Sequence, residues 1–150
     1  MIRRADLKDF DRVMALMENF ANCSPLPDHH NPKYNYRGVE HFLANVSRQG
    51  VILVGEADGA IQGMLIAQVL SDSWLPEVRV LKELAWWVEP SHRNSSLGYR
   101  LLKEYVKFGK ALKEKNIISA FTLTTLEDSP IRDLERFGWR PIEKNYVYGE

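Results

Sequence analysis

The sequence predicts a mixed α/β fold in which helices cover both faces of one sheet. Three observations lead to this class: two helical patterns come early, three strand-like segments follow them, and helical and strand-like segments then alternate. Strands joined by a tight turn are antiparallel, whereas strands joined by a crossover helix are parallel. The predicted order, β, α, α, β, β, β, α, β, α, β, therefore indicates a mixed sheet.

The N-terminal part contains a short strand candidate and two helices. Met1 to Arg4 can form the strand, and Asp6, with Asp9 three residues later, is a suitable N-cap for a helix over residues 7–21. The apolar residues of this helix recur at helical spacing: Phe10, Val13, Met14, Met17 and Phe20. A second helix is predicted where one face carries Val39, Phe42, Leu43 and Val46, with Gly50 just past its end.

A proline-containing segment separates the two helices. Residues Ser24 to Asn35 show no periodicity and include three prolines, which predicts a loop. Loops of this length are often functional, so Pro25 to Tyr36 either shapes a binding site or only connects the helices. The sequence leaves both interpretations open.

Three strand patterns follow the second helix. The apolar segments Val51 to Val54 and Ile61 to Leu70 flank Asp58-Gly59, a dipeptide that favours a tight primed turn, so a hairpin is predicted. Val78 to Val88 is the third strand of this group. Pro90 ends it, because proline donates no main-chain hydrogen bond.

Helical spacing resumes after the third strand. One apolar stripe predicts a long helix: Leu97, Leu101, Tyr105, Phe108 and Leu112. Ile117 to Leu126 is then predicted as a strand, and Trp139 to Tyr148 as the last one. Between them, a short helix with Pro130 in its first turn is expected to start at residue 128 or 129 and to end at Gly138.

Composition and charge exclude several classes of protein. The 150 residues suit one compact domain spanning 1–150, and 20 Lys and Arg balance 20 Asp and Glu, so no overall positive field attracts nucleic acid or an anionic membrane. The single Cys23 excludes an internal disulfide. No apolar run approaches the roughly 20 residues of a membrane span, and Met1 to Asp6 is no signal peptide, so a cytoplasmic protein is expected.

The segment between the third strand and the following helix is the strongest candidate for a binding site. Residues 93–98 read Arg-Asn-Ser-Ser-Leu-Gly and lead directly into the helix. The start of a helix leaves main-chain N–H groups unpaired and carries about half a positive charge, and small residues let a ligand approach the main chain. A phosphate or diphosphate could therefore bind at Asn94 to Tyr99, with Arg93 at the rim. The alternative is an ordinary strand-to-helix turn.

Three segments resemble the GNAT N-acetyltransferase superfamily. Residues 93–98 resemble its coenzyme A diphosphate loop, Gln/Arg-x-x-Gly-x-Gly/Ala. Glu83 to Pro90 resembles the family's fourth strand, and Leu134 to Glu143 is similar to its Tyr-Glu-Lys-Leu-Gly-Phe-Arg-Pro ending. The order of elements matches along essentially the whole chain, so the resemblance implies a GNAT-like fold with a mixed sheet of six to seven strands.

The resemblance implies an enzyme that transfers acetyl from acetyl-CoA to an amine of a small molecule or a protein. The fourth strand would splay from its neighbour and open a V-shaped cleft for the thioester, which the amine would attack directly. The main chain of Trp87 and Val88 would pair with the pantetheine arm, and the diphosphate would be held by Arg93 and by the amides of Asn94, Ser95, Ser96, Leu97, Gly98 and Tyr99. A homodimer is compatible with the resemblance, and no nucleic-acid or membrane partner is expected.

Two positions depart from the family pattern. Ser96 replaces the first glycine of the loop motif, which is compatible with binding if the loop needs no positive φ there. Leu134 stands where many relatives carry the tyrosine proposed as the general acid, and leucine cannot donate a proton. Either Tyr99 or another tyrosine serves as the acid, or solvent protonates the thiolate, or the chain is a coenzyme A-binding module without activity. A toxin-like acetyltransferase acting on aminoacyl-tRNA is a further alternative, against which the balanced charge counts.

Glu83 is the best candidate for the general base. It lies on the long strand two and four residues before Ala85 and Trp87, so the three side chains share a face and could line the cleft. A solvated or salt-bridged carboxylate is the alternative for Glu83, and Glu89 is a weaker second candidate for the base. A metal site is not expected, because no i, i+4 pairing occurs among Cys23, His29, His30 and His92.

Overall fold

The computed structural model describes residues 1–26, 29 and 37–149 of the chain. Its helices are α1 (Phe10–Asn22), α2 (Arg37–Gln49) and α3 (Leu97–Glu114), and its strands are β1 (Ile2–Arg4), β2 (Gly50–Ala57), β3 (Ala60–Ser71), β4 (Arg79–Val88) and β5 (Ala120–Thr122). Short 3-10 helices lie at Leu7–Asp9, Pro90–His92 and Leu134–Phe137. No helix in the described ranges is long and apolar enough to cross a membrane.

The five strands form one mixed sheet in the order β1-β2-β3-β4-β5. The first four pair antiparallel in sequence, and β5 pairs parallel to β4 after the α3 crossover. This confirms the mixed α/β class. The strand count differs from the expected six to seven, since the described residues form five strands.

Helices cover both faces of the sheet, as predicted. On one face, α1 and α2 pack on a core formed by Val13, Leu16, Leu43, Val46, Ile52, Val54, Ile61, Met64, Ile66, Ala85 and Trp87. On the other face, α3 contributes to a second core formed by Val51, Leu53, Leu65, Ala67, Leu81, Leu101, Leu102, Tyr105 and Ile118. Alternate residues of β2 and β3 therefore enter opposite cores, as the period of two in a strand requires.

Local signals in the N-terminal half are confirmed. Asp6 and Asp9 form a capping box, with the Asp9 carboxylate accepting the Asp6 N–H at 2.9 Å. The 3-10 turn Leu7–Asp9 then precedes α1. In the hairpin turn, Asp58 and Gly59 have φ of 53° and 77°, the left-handed pair that a primed turn needs.

The two strands predicted after α3 are shorter or absent. The structure has Ala120–Thr122 where Ile117 to Leu126 was expected, because Asn116 adopts φ 56° and Ile117 donates its N–H to Leu112 O at 3.0 Å in the turn that ends α3. The expected strand Trp139 to Tyr148 is not formed. From residue 141 to 149 every residue is exposed, and an extended segment becomes a strand only where its main chain finds a partner.

The expected short helix begins later than predicted. Asp133 has φ 63° and immediately precedes the 3-10 turn Leu134–Phe137, so no helix extends from residue 128 or 129. Gly138, with φ 89°, ends the turn, as the sequence indicated.

Candidate active site

A gap opens between β4 and β5. The two strands pair only where Val80, Leu81 and Lys82 face Ala120, Phe121 and Thr122, while β4 continues to Val88. Tyr105 of α3 closes the paired end, because its buried hydroxyl donates to Thr122 O at 2.6 Å and lies 3.3 Å from Leu81 O. The described part of β4 from Glu83 onward therefore borders β3 on one side and the gap on the other.

Main-chain groups of β4 point into this gap. Glu89 donates its N–H to Gln62 O at 2.8 Å, and Val88 faces Gly63 of β3. Since successive residues of a strand direct their N–H and C=O groups to opposite sides, those of Val88 point away from β3. Trp87, one residue earlier, turns its main chain toward β3, so the expectation that its main chain is available to a ligand is wrong.

A β-bulge separates Glu83 from Ala85 and Trp87. Ala67 faces Glu83 and Ile66 faces Ala85, which leaves Leu84 as an extra residue in β4. Ala67 belongs to the α3-side core, whereas Ala85 and Trp87 belong to the α1/α2-side core. The prediction that Glu83 shares their face is therefore wrong, because a bulge reverses the alternation.

Glu83 lies at the point where the gap begins. Its side chain is 4% exposed, and Oε2 accepts the N–H of Thr124, two residues beyond the end of β5, at 3.0 Å. Burial raises the pKa of Glu83 to about 7, although the Thr124 N–H and the charge of Lys82 lower it. A carboxyl group with a pKa near neutrality can both accept and release a proton at physiological pH.

Glu89 is held in a structural network. Its Oε1 accepts hydrogen bonds from Arg12 at 3.2 Å and from Asn19 at 3.0 Å, both on α1, and its Oε2 lies 3.4 Å from Trp87 Nε1. The carboxylate thereby ties the end of β4 to α1. This favours a structural role over that of a base.

The loop before α3 presents unpaired main-chain donors. Ser95 folds back on His92, donating both its N–H (3.2 Å) and its hydroxyl (2.6 Å) to the His92 carbonyl. Ser96, the last residue before α3, has φ −78° and makes no side-chain cap. Among the described residues no partner exists for the amides of Asn94, Ser96, Gly98 and Tyr99. The negative φ of Ser96 shows that serine fits where the family motif has glycine.

A contact from the hairpin turn supports this loop. His92 Nε2 lies 2.9 Å from Asp58 Oδ2, and its Nδ1 lies 2.8 Å from Ser91 Oγ. The Asp58 side chain is 84% exposed, so the contact contributes at most about 1 kcal/mol. It connects the β2–β3 turn to the residue whose carbonyl holds Ser95.

Arg93 lies over the end of β4. Its Nε donates to Val88 O at 2.9 Å, and its guanidinium carbon is 4.4 Å from the centre of the Trp87 ring. In the part of the chain that the structure describes, no carboxylate lies within 4.0 Å of this guanidinium. Arg93 thus brings a positive charge to the end of β4, one residue before Asn94.

Tyr99 and Leu134 flank the loop from the other side. Tyr99 is 46% exposed and packs on Phe137, with 5.1 Å between ring centres. Leu134 packs at the edge of the α3-side core. Tyr99 therefore lies near the loop end of the gap, whereas Glu83 lies at its paired end.

Other candidate residues form no cluster in the described ranges. No group of three or more His, Cys, Asp or Glu side chains there could hold a metal ion, and Cys23 is exposed. Most of the segment Pro25 to Tyr36 lies outside the described residues, so its expected part in an acceptor site stays a prediction.

The sequence profile of the acetyltransferase (GNAT) family matches residues 13–139. The chain belongs to the GNAT acetyltransferase family. This match spans the gap, the loop before α3 and the bulged strand, so acetyl transfer is the general activity of the family to which the chain belongs. None of the curated proteins matches it by sequence.

Solved structures share the fold along its whole length. The ribosomal-protein-alanine N-acetyltransferase of Brucella melitensis has a TM-score of 0.66 at 19% identity, covering 99% of this chain and 98% of that one. AAC(6')-Iy, solved with the bisubstrate analogue CoA-S-monomethyl-acetylneamine, has a TM-score of 0.68 at 17% identity, and the match covers 100% of this chain and 97% of that one. A third structure is that of a Clostridium acetobutylicum protein described as a predicted acetyltransferase and solved with acetyl-CoA. It has a TM-score of 0.67 at 17% identity, and the match covers 99% of this chain and 95% of that one.

Sequence reasoning missed three parts of this GNAT site. The sequence analysis treated Tyr105 only as one apolar residue of the α3 stripe. Its hydroxyl was the available signal, because a buried tyrosine hydroxyl needs a hydrogen-bond partner, which here is Thr122 O. Thr124 and Asp58 act through contacts across 41 and 34 residues. Such contacts depend on the register of the sheet, which no local pattern predicts.

Gly98 provides a test of the loop. A Cβ added there would lie 3.6 Å from Val88 Cγ2 and from Ile131 Cδ1, which is ordinary contact distance. Gly98→Ala should therefore leave acetyl-CoA affinity within about twofold, whereas Gly98→Leu should weaken it about tenfold or more, because overpacking shifts the main chain. Calorimetric titration measures both, with the melting temperature of each variant as control. Equal affinities for the leucine variant and the unchanged protein would contradict the placement.

Proposed function

We propose that the chain transfers the acetyl group of acetyl-CoA to an amine of a small molecule or a protein by direct attack, without a covalent acyl-enzyme. The observation that carries the proposal is the juxtaposition of two sets of main-chain groups. Those of Val88 face the gap, and the amides of Asn94, Ser96, Gly98 and Tyr99 face outward from the start of α3.

The cofactor fits these groups by charge and by shape. A diphosphate carries negative charge, which the unpaired amides, the positive end of α3 and the Arg93 guanidinium all favour. The pantetheine arm contains amides that can pair with the main chain of Val88 as an added strand would. The thioester then extends along the gap toward Glu83, where β4 and β5 meet.

The residues around the gap support proton transfer for this reaction. The amine nitrogen forms a bond to the thioester carbonyl carbon, and the bond from that carbon to sulfur breaks with its electron pair left on sulfur. One proton must leave the nitrogen, and the thiolate must gain one. Glu83 is the proposed base, acting through water, and Tyr99 or solvent is the proposed acid.

Leu134 supports a second candidate function. It occupies the 3-10 turn Leu134–Phe137 beside the loop and offers no proton for the departing thiolate. A chain that binds coenzyme A without turnover is consistent with this residue. Measured turnover decides between the two candidates.

The direct experiment combines binding and turnover. Acetyl-CoA at 100 times its dissociation constant should raise the free energy of unfolding by about 2.7 kcal/mol. Free thiol should also be released with at least one amine from a panel of small molecules and peptide N-termini, detected with a thiol reagent. A thermal shift without thiol release would replace the transferase by the binding module, and no shift at millimolar acetyl-CoA would remove both.

Glu83→Gln tests the base. The carboxylate form accepts the proton, so kcat/KM should rise with pH through about 7 and fall tenfold for each unit below that. In the variant, this rise of kcat/KM with pH should disappear, and the rate should fall by about 10²-fold or more. Its amide oxygen can still accept the Thr124 N–H, so its melting temperature should be unchanged or higher.

Glu89→Gln is the matched control for Glu83→Gln. The substitution alters the contact with Arg12, so the melting temperature should fall, whereas kcat/KM should still rise with pH through about 7. If kcat/KM of Glu83→Gln rises with pH as it does in the unchanged protein, another group is the base.

A further inference from the structure

The hydroxyl of Tyr105 lies between two strands of the sheet. The side chain projects from α3 and is fully buried. Its hydroxyl donates to Thr122 O of β5 at 2.6 Å and lies 3.3 Å from Leu81 O of β4. The last residues of the two strands that face each other are Lys82 and Thr122. The hydroxyl therefore occupies the place where the pairing of β4 with β5 ends.

The position of this hydroxyl is set by the packing of its ring. The Tyr105 ring stacks on Trp139 with 6.3 Å between ring centres, and it meets Phe121 edge to face at 6.0 Å. Phenylalanine could make both of these ring contacts. Since a buried hydroxyl without a partner is destabilising, the polar atom of Tyr105 is explained by its bond to the strands and not by the core.

The bond to Thr122 also determines where the next donor lies. Thr124 follows Thr122 by two residues and donates its N–H to Glu83 Oε2 at 3.0 Å. No other hydrogen bond holds Thr124 in the described ranges. Its position therefore depends on Thr122, which the Tyr105 hydroxyl holds from the α3 side.

The N–H of Thr124 affects the protonation of Glu83. Burial raises the pKa of Glu83 to about 7, whereas the Thr124 N–H and then the charge of Lys82 lower it. Burial also raises the pKa of Tyr105, and the charge of Glu83 raises it further, so the hydroxyl stays neutral near pH 7. On the β3 side, Glu83 faces the apolar Ala67. Without the Thr124 N–H, the carboxylate would form only at a higher pH.

We propose that Tyr105 is a positioning residue for Glu83, because its hydroxyl fixes Thr122 and thereby keeps the N–H of Thr124 on the carboxylate. This inference rests on the proposed function, in which Glu83 is the base. It deepens that function by naming the group that keeps the base in its proton-accepting form. The hydroxyl acts through the main chain of the β5 segment and touches no reacting atom.

Tyr105→Phe tests the proposal, because it removes the hydroxyl and retains the ring contacts. The titration of the Glu83 carboxyl carbon, followed by NMR, should have its midpoint at about 7 in the unchanged protein. In the variant the midpoint should rise by about one pH unit, the equivalent of one hydrogen bond to a charged group. Tyr146→Phe is the matched control, since it removes a hydroxyl from a side chain that is 88% exposed, and it should leave the midpoint unchanged.

Thr124→Pro tests the route of the effect, because proline lacks the N–H that Glu83 accepts. This variant should also raise the Glu83 midpoint, and the double variant with Tyr105→Phe should titrate no higher than Thr124→Pro alone. An unchanged midpoint in Tyr105→Phe, or shifts that add in the double variant, would overturn the positioning role.

Kinetics separate this inference from the proposed function. At pH 7, kcat/KM of Tyr105→Phe should be about fivefold below that of the unchanged protein, and at pH 9 the two should nearly agree. A loss of correctly folded protein would lower the rate equally at both pH values. If the Glu83 midpoint moves and kcat/KM does not follow it, Glu83 is not the base, whereas the action of Tyr105 on Glu83 stands.

Discussion

The structure depends on the place where β4 and β5 stop pairing. Three residue pairs join the strands, and beyond Lys82 the strand β4 runs on alone beside β3. Unpaired main-chain groups are costly when buried, so a strand end of this kind persists only where water or a ligand reaches it. Tyr105 and Glu83 fix the starting point. The Tyr105 hydroxyl of α3 donates to Thr122 O of β5 and lies 3.3 Å from Leu81 O of β4, and the Glu83 carboxylate of β4 accepts the N–H of Thr124. The free main-chain groups of Val88 and the place of the candidate base Glu83 both follow from this divergence.

The bulge at Leu84 places Glu83 on one face of the sheet and Ala85 and Trp87 on the other, although their spacing in the sequence predicts one shared face. Without it, Glu83 would lie with Ala85 and Trp87 among the side chains that face α1 and α2. With it, Glu83 enters the α3 side, where burial raises the pKa of its carboxyl to about 7. Trp87 remains on the α1 side and supports Arg93. One inserted residue thus places the candidate base and the residue that supports Arg93 on opposite faces of a single strand.

Local patterns predicted the parts of the fold that local interactions determine. The capping box at Asp6, the turn at Asp58-Gly59 and the start of α3 at Leu97 each depend on residues adjacent in sequence. The last strand, the length of β5 and the bulge depend on partners far away, and there the predictions were wrong. The loop at residues 93–98 could be identified from the sequence as a candidate anion site, because helix starts bind anions through their own backbone; its binding of a diphosphate stays a prediction. The supports of the site, Tyr105, Thr124 and Asp58, were not, since each acts across the folded sheet.

The central claim is that the amides at the start of α3 bind the diphosphate of acetyl-CoA. Amide-resolved hydrogen exchange measures this most directly, because these amides have no partner in the described protein and should exchange rapidly. Saturating acetyl-CoA is predicted to slow exchange at Asn94, Ser96, Gly98 and Tyr99, and much less at the turn residue Gly59. Unchanged exchange at all four loop amides in a protein saturated with acetyl-CoA would contradict the account.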